Sequence, residues 1–200
     1  GDYKRRRDPT CASFEPVPCH VFISEATFGL PVFRHPSAEA EVARLVKSLG
    51  QFPERAHLVG AYALGKAQRV LAELLALDPQ PVWLHGAVDA GVQVYRQAGI
   101  PMVPTLAVAE TDNHFDYAGK LIIAPPSAAG SAWLRRFKRA QQGFASGWMR
   151  LRGNRRRGNY DRGFVLSDHA DWPDLLRTVR DTGASRVIAT HGNTDALVRM

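Results

Sequence analysis

Cysteine is scarce: Cys11 and Cys19 are the only two in 200 residues, too few for a disulfide framework. They lie farther apart than the two to four intervening residues of a zinc-ribbon pair, and no second pair exists. Two reduced thiols in a cytoplasmic protein are the simpler reading, with no role assigned to either. Long apolar runs are missing too. None approaches the roughly 18 to 20 residues of a membrane helix, so no membrane partner is expected. The chain opens Gly1-Asp2-Tyr3-Lys4-Arg5-Arg6-Arg7 with no apolar stretch behind the charges, which is not a signal peptide. The absent starting Met and the stop at Met200, inside a helical pattern, read as a fragment. The phosphate loop G-x-x-x-x-G-K-[ST], G-x-G-x-x-G, G-x-S-x-G and H-E-x-x-H are all absent. Their absence counts against nucleotide hydrolases, dinucleotide oxidoreductases, ordinary α/β serine hydrolases and zincins.

Basic charge is abundant. The formal net charge is +7 and the pI near 9.8, which points to an anionic partner, because Lys and Arg displace counterions from a phosphate backbone. The excess is concentrated between Arg135 and Arg162. Ten cations stand there (Arg135, Arg136, Lys138, Arg139, Arg150, Arg152, Arg155, Arg156, Arg157 and Arg162) against one acid, Asp161. Trp133, Phe137, Phe144, Trp148 and Tyr160 interleave with them and offer stacking surfaces for bases. A solvated basic face that only aids solubility is the plainer alternative.

Apolar runs alternate with helical patterns, which predicts an α/β fold. Strands are expected at His20–Ser24, His57–Gly60, Pro81–Leu84, Leu121–Ala124, Phe164–Leu166 and from Arg186 into Thr190-His191-Gly192. Helices are expected over Ala38–Leu49 (stopping at Gly50), Gly65–Leu77, a segment up to Gly99, Ser131–Arg139 and Trp172–Thr182. Gly143–Arg150 reads as extended and Arg152–Gly163 as a loop or boundary. The expected partition is a central domain over residues 39–160 between flanks 1–38 and 161–200 that belong together.

Three strand ends carry acid or histidine: Glu25, Asp168-His169 and His191. Strand ends are where α/β proteins build their sites. One strand-end histidine is usually structural. Three such ends, with Asp2 at the front, can meet because strands of one sheet deliver their ends to one edge. Asp, Glu and His beside a basic surface suit metal-assisted hydrolysis of a phosphodiester.

Five segments, in order, resemble motifs of one family. Gly1-Asp2-Tyr3-Lys4-Arg5 is similar to the Gly-Asp segment of metallo-β-lactamase-fold nucleases. Ser24-Glu25-Ala26-Thr27-Phe28-Gly29 resembles motif A of the β-CASP nucleases, and Ala63-Leu64-Gly65-Lys66-Ala67-Gln68 a segment near the start of the β-CASP insertion. Ser167-Asp168-His169-Ala170-Asp171-Trp172 resembles motif B and Thr190-His191-Gly192 motif C. The resemblance implies an α/β chain forming the C-terminal part of a metallo-β-lactamase αββα fold with an inserted α/β β-CASP domain. The segments look most like the bacterial DNA ligase-associated exonucleases. They are also similar to mRNA 3′-end processing factor-like proteins and ribonuclease J.

The resemblance implies a zinc-dependent nuclease, most specifically a DNA exonuclease in repair, acting beside a DNA ligase and a helicase. Two zinc ions are implied, with manganese as the alternative, supplying a hydroxide that attacks the phosphate in line. Asp2 and His191 are the implied metal ligands. Glu25 and His169 are the implied catalytic pair, with His169 contacting the scissile phosphate or protonating the leaving oxygen; a pair that only positions other groups is the alternative. The cations Arg135–Arg162 are implied to line the groove between the domains. The family's H-x-H-x-D-H is absent, since no two of the seven histidines are spaced H-x-H. The chain alone is therefore expected to be inactive or nearly so. An RNA-processing nuclease and a non-catalytic nucleic-acid-binding relative are the other two readings.

Overall fold

The computed structural model of the chain describes every residue except Asn113. In chain order the regular elements are β1 (Val21–Ala26), α1 (Ala38–Gln51), β2 (His57–Gly60), α2 (Lys66–Leu74), β3 (Val82–Leu84), α3 (Gly86–Gln97), β4 (Thr105–Ala107), β5 (Leu121–Ala124), β6 (Gln141–Ala145), α4 (Arg152–Arg157), β7 (Arg162–Phe164), α5 (Trp172–Thr182), β8 (Arg186–Gly192) and α6 (Thr194–Val198). They form two compact units, one made of Gly1–His35 with Ser167–Met200, the other of Pro36–Leu166. The fold is α/β with parallel sheets. Among the described residues no helix is long and apolar enough to cross a membrane.

The Pro36–Leu166 unit is built on a six-stranded sheet of order β4-β3-β5-β2-β6-β7, with all pairings parallel. Its central strands are apolar at successive positions, so alternation sends side chains to both faces. Val59 and Ile123 join Leu45, Leu71 and Phe164 in one core; Leu58 and Ile122 join Trp83, Tyr117 and Phe137 in the other. Ile122 and Ile123 are fully buried, each stabilising the sheet by about 1.5–3 kcal/mol relative to exposure. The segment Ala63–Gln68 builds the start of α2. Gly65 sits at φ +81 as N-cap, a conformation glycine adopts without strain, and Lys66 Nζ donates to Leu166 O at 3.1 Å.

The other unit holds a two-stranded parallel pair, β1 with β8. Residues pair from Val21↔Arg186 to Glu25↔Thr190, and then the register slips so that Ala26 faces Gly192. His191 is the extra residue of this bulge and has φ +56. Gly192 follows at φ +101, and a Cβ there would lie 2.2 Å from Ala26 O, so only glycine fits. Ala26, Ala170, Trp172, Leu175 and Leu197 form the core. Val21, Ile23, Val187 and Ile188 stay exposed, unusual for parallel strands, which are normally covered on both faces.

Several elements depart from the sequence expectation. Helix α1 runs through Gly50 to Gln51 and is capped by Phe52, the residue before Pro53, where the proline ring disfavours helical geometry. Residues 131–139 form a short 3-10 turn over Ala132–Arg136 rather than an α-helix. The extended segment is β6 over Gln141–Ala145, and Gly147–Arg150 is a 3-10 turn. Helix α4 lies inside the expected loop; none of its residues is buried, so it has no apolar face for periodicity to reveal. Strand β4, absent from the sequence expectation, starts directly after Pro104 at the edge of the sheet, where proline is tolerated. Because β7 pairs with β6, residues 161–166 lie in the Pro36–Leu166 unit rather than with the C-terminal flank.

Candidate functional site

Strand β1 goes from exposed to buried along its length, so Ser24, Glu25 and Ala26 end inside the unit, with Glu25 1 % exposed. A carboxylate that deep needs partners. Its Oε1 accepts from Tyr3 N at 3.0 Å, and its Oε2 lies 2.7 Å from His169 Nδ1. Burial by itself would raise the Glu25 carboxyl; hydrogen bonds from His169, Thr27 and the Tyr3 N–H outweigh it and hold it below the ordinary value. An ionised carboxylate only accepts, so the proton of this contact belongs on His169 Nδ1 and the ring works through Nε2.

His169 is fixed from its backbone as well. Its N–H donates to Ser167 Oγ and its carbonyl accepts from the same hydroxyl, both at 3.0 Å. The Phe28 ring stands edge-on to the imidazole, centroids 6.0 Å apart. About a third of the imidazole reaches solvent, and there the exposed Asp2 places Oδ1 3.9 Å from Nδ1. One donor atom from each of Asp2, Glu25 and His169 lies within 4.8 Å of the others.

Lys4, Arg5 and Arg6, which follow Asp2, are spent on anchoring this segment. Lys4 pairs with Asp8 and lies 3.8 Å from Asp168. Arg5 reaches Asp181 at 2.6 Å, and Arg6 reaches Asp171 at 2.7 Å. Tyr3 adds its hydroxyl to Ser24 Oγ at 2.9 Å and its carbonyl to Ala170 N at 2.6 Å. Sequence reasoning singled out Asp2 and missed this support from Tyr3, Ser167 and Asp171. All three stand inside the motifs quoted above, beside the residues to which the resemblance gives a role.

Three of the four expected site residues in this unit, Asp2, Glu25 and His169, come together. His191 is exposed at the end of β8, one residue past the partner of Glu25, with Nδ1 3.1 Å from Thr190 Oγ1. It is not in the group of three. Carboxylate and imidazole donors are the right chemistry for zinc, with Asp2 and His191 the exposed pair.

The expected basic residues all lie in the Pro36–Leu166 unit, in different settings. Arg136 is committed to the loop at Thr111 and Asp112, with Nη2 2.9 Å from Thr111 O. Arg135, Lys138, Arg139, Arg156 and Arg157 are exposed. Arg150, Arg152 and Arg155 line one cavity, together with Arg44 and Arg162; of these five, Arg44 lies outside the basic stretch and carried no expectation. Of the aromatics, Phe137 is buried in the core, Phe144 and Tyr160 stack on each other at 5.0 Å, and Trp148 is 41 % exposed.

No family model matches the chain. A curated relative from Opitutus terrae, described as a probable DNA ligase, is 31% identical over 96% of this chain. The chain spans only 19% of that relative's length. A crystal structure of a protein of unknown function from Enterococcus faecalis superposes with TM-score 0.58 at 11% identity, over 88% of this chain and 47% of that one. That likeness shows a shared fold and nothing of activity.

Proposed function

We propose that this chain is part of a metal-dependent phosphodiesterase acting on nucleic acid, of the metallo-β-lactamase fold with a β-CASP insertion, and specifically a DNA exonuclease of repair. The observation that carries the reading is the buried Glu25 clamped to His169 beside the exposed Asp2. The likeness to a protein described as a probable DNA ligase supports DNA over RNA and a functional association with strand joining.

Asp2 and His191 would hold metal, zinc in the first place. Bound metal would supply Lewis acidity and a water that is nucleophilic at neutral pH. Glu25 orients the His169 ring and steadies positive charge on it. His169 Nε2 then contacts the phosphate or delivers a proton to the leaving oxygen. Asp2 and His191 do not complete a two-metal site, which needs about four ligands per ion. The 200 residues by themselves are therefore expected to bind nucleic acid without cutting it, and the activity belongs to a polypeptide that supplies further donors.

Substrate choice is tested on such a polypeptide with end-labelled single-stranded DNA and RNA of one sequence. The expected result is shortening of the DNA at least 10-fold faster than of the RNA. Faster cleavage of RNA would overturn the repair reading in favour of RNA 3′-end processing.

A further inference from the structure

In the Pro36–Leu166 unit, a cavity of about 360 Å³ is lined by Arg44, Arg150, Arg152, Arg155 and Arg162, with Glu41 the one acidic residue of the lining. They arrive from separate places: Glu41 and Arg44 from α1, Arg150 from the turn Gly147–Arg150, Arg152 and Arg155 from α4, and Arg162 from β7. A basic face that served only solubility would spread its charges; here they converge on one space.

The charge in the cavity is not balanced internally. Glu41 is 3 % exposed and already engaged, accepting from Arg44 Nη1 at 2.6 Å and from Val165 N at 2.7 Å. It fixes the Arg44 guanidinium and anchors the chain just after β7. Arg155 Nη1 donates to the Asp161 carbonyl at 2.9 Å, and Arg162 lies over the Phe52 ring at 5.6 Å. Among the described residues, Arg152, Arg155 and Arg162 have no carboxylate within ion-pair distance. With Arg44 paired to Glu41, Arg152, Arg155 and Arg162 alone bring a formal +3 to the lining, a repulsion that an anion relieves. Guanidinium forks match the oxygens of phosphate better than a point charge does. The volume lies toward the small end of ligand sites, about 300–1,000 Å³, enough for a phosphate with its sugar.

We propose that this cavity is a phosphate-binding pocket, and that the phosphate it holds belongs to a polynucleotide backbone. This rests on the nucleic-acid reading above and sharpens it: affinity is concentrated in the pocket arginines rather than spread along residues 135–162. Arg156 and Arg157 share α4 with Arg152 and Arg155 but do not line the cavity, so they serve as matched controls.

The test compares the whole chain with the double variants Arg152→Gln/Arg162→Gln and Arg156→Gln/Arg157→Gln, each lacking two charges. The exposed single variant Arg152→Gln guards against misfolding. Binding of a fluorescent 12-nucleotide single-stranded DNA is followed by anisotropy across 50–200 mM salt, and binding of inorganic pyrophosphate by calorimetry. Loss of the pocket pair should weaken DNA binding 10-fold or more and flatten the salt slope by about 1.4, roughly 0.7 for each phosphate no longer neutralised. The control pair should change it less than 3-fold, and Arg152→Gln should fall between. DNA binding reduced equally by both pairs overturns the pocket and leaves the nucleic-acid reading standing. Pyrophosphate binding that only the pocket pair loses, with no DNA bound, keeps a phosphate pocket and overturns its polynucleotide occupant. No binding of either probe overturns both.

Discussion

Replacing Asp171 by alanine is expected to destabilise the unit Gly1–His35/Ser167–Met200 by about 3 kcal/mol, the sum of a lost helix cap at about 1 kcal/mol and a buried N–H left without its acceptor at about 1–3 kcal/mol. The Asp171 side chain is fully buried and serves three donors. Its Oδ1 accepts from Asp174 N at 3.2 Å as the N-cap of α5. Its Oδ2 accepts from His35 N at 2.8 Å and from Arg6 Nη2 at 2.7 Å. The Arg6 pairing adds little, since that guanidinium is 36 % exposed and solvent screens it. Because Arg6 lies four residues beyond Asp2, the loss is felt at the site. Hydrogen exchange should show reduced protection in α5, β1 and β8, with the strands of the Pro36–Leu166 unit unchanged; Asp171→Asn should cost less because it still caps. Unchanged protection in α5 would show that Asp171 does not hold this unit together.

Glu25→Gln keeps shape and removes charge, and its expected effect is on turnover. The Tyr3 N–H still finds a carbonyl acceptor, so the fold should survive with a loss of about 1–2 kcal/mol. His169, however, loses the acceptor that fixes its tautomer and the anion that steadies a proton on the ring. If the proposed function holds, this should lower the turnover of the metal-complete polypeptide on the order of 100-fold while leaving DNA affinity within a few-fold. A fall in affinity matched by unchanged turnover would instead make Glu25 part of a binding surface. The pH dependence of stability separates the two proteins as well. The folded wild-type carboxyl titrates below its ordinary value of 4.5. Its contribution is therefore complete above that pH and is lost as pH falls through the lowered folded value. Glu25→Gln should lack this acid-labile component, and identical acid profiles would remove Glu25 as its source.

Much of the architecture was legible because periodicity reports burial. The strands His57–Gly60 and Leu121–Ala124 and the helix Trp172–Thr182 match the structure residue for residue, since each buries a continuous run or a clear face. Helix α4 was not legible: six exposed or half-buried residues, three of them consecutive arginines, look the same in a loop and in a helix. At the site, Glu25 stands near the end of β1 as expected, but the strand expected at Phe164–Leu166 is β7 at Arg162–Phe164, in the six-stranded sheet; His169 lies five residues past it, on irregular backbone, so strands of one sheet are not what brings the two together. Their 2.7 Å contact joins residues 144 apart in sequence, which no local pattern reports. The basic residues were legible as a stretch, but their sorting was not. Arg44 stands far from that stretch and meets Arg152 and Arg162 only through folding, while Arg136 turns to a loop carbonyl.

If Asp2, Glu25, His169 and His191 form the working end of a metal-dependent nucleic-acid hydrolase, the decisive experiment is release of labelled nucleotides from single-stranded DNA by the metal-complete polypeptide. The assay is run after EDTA treatment and after return of zinc or manganese, beside His169→Ala and His191→Ala. Cleavage is expected that EDTA abolishes, that added metal restores, and that each substitution lowers by 100-fold or more. DNA bound but left intact under either metal, or cleavage that survives both substitutions, would mean that these four residues do not do this chemistry.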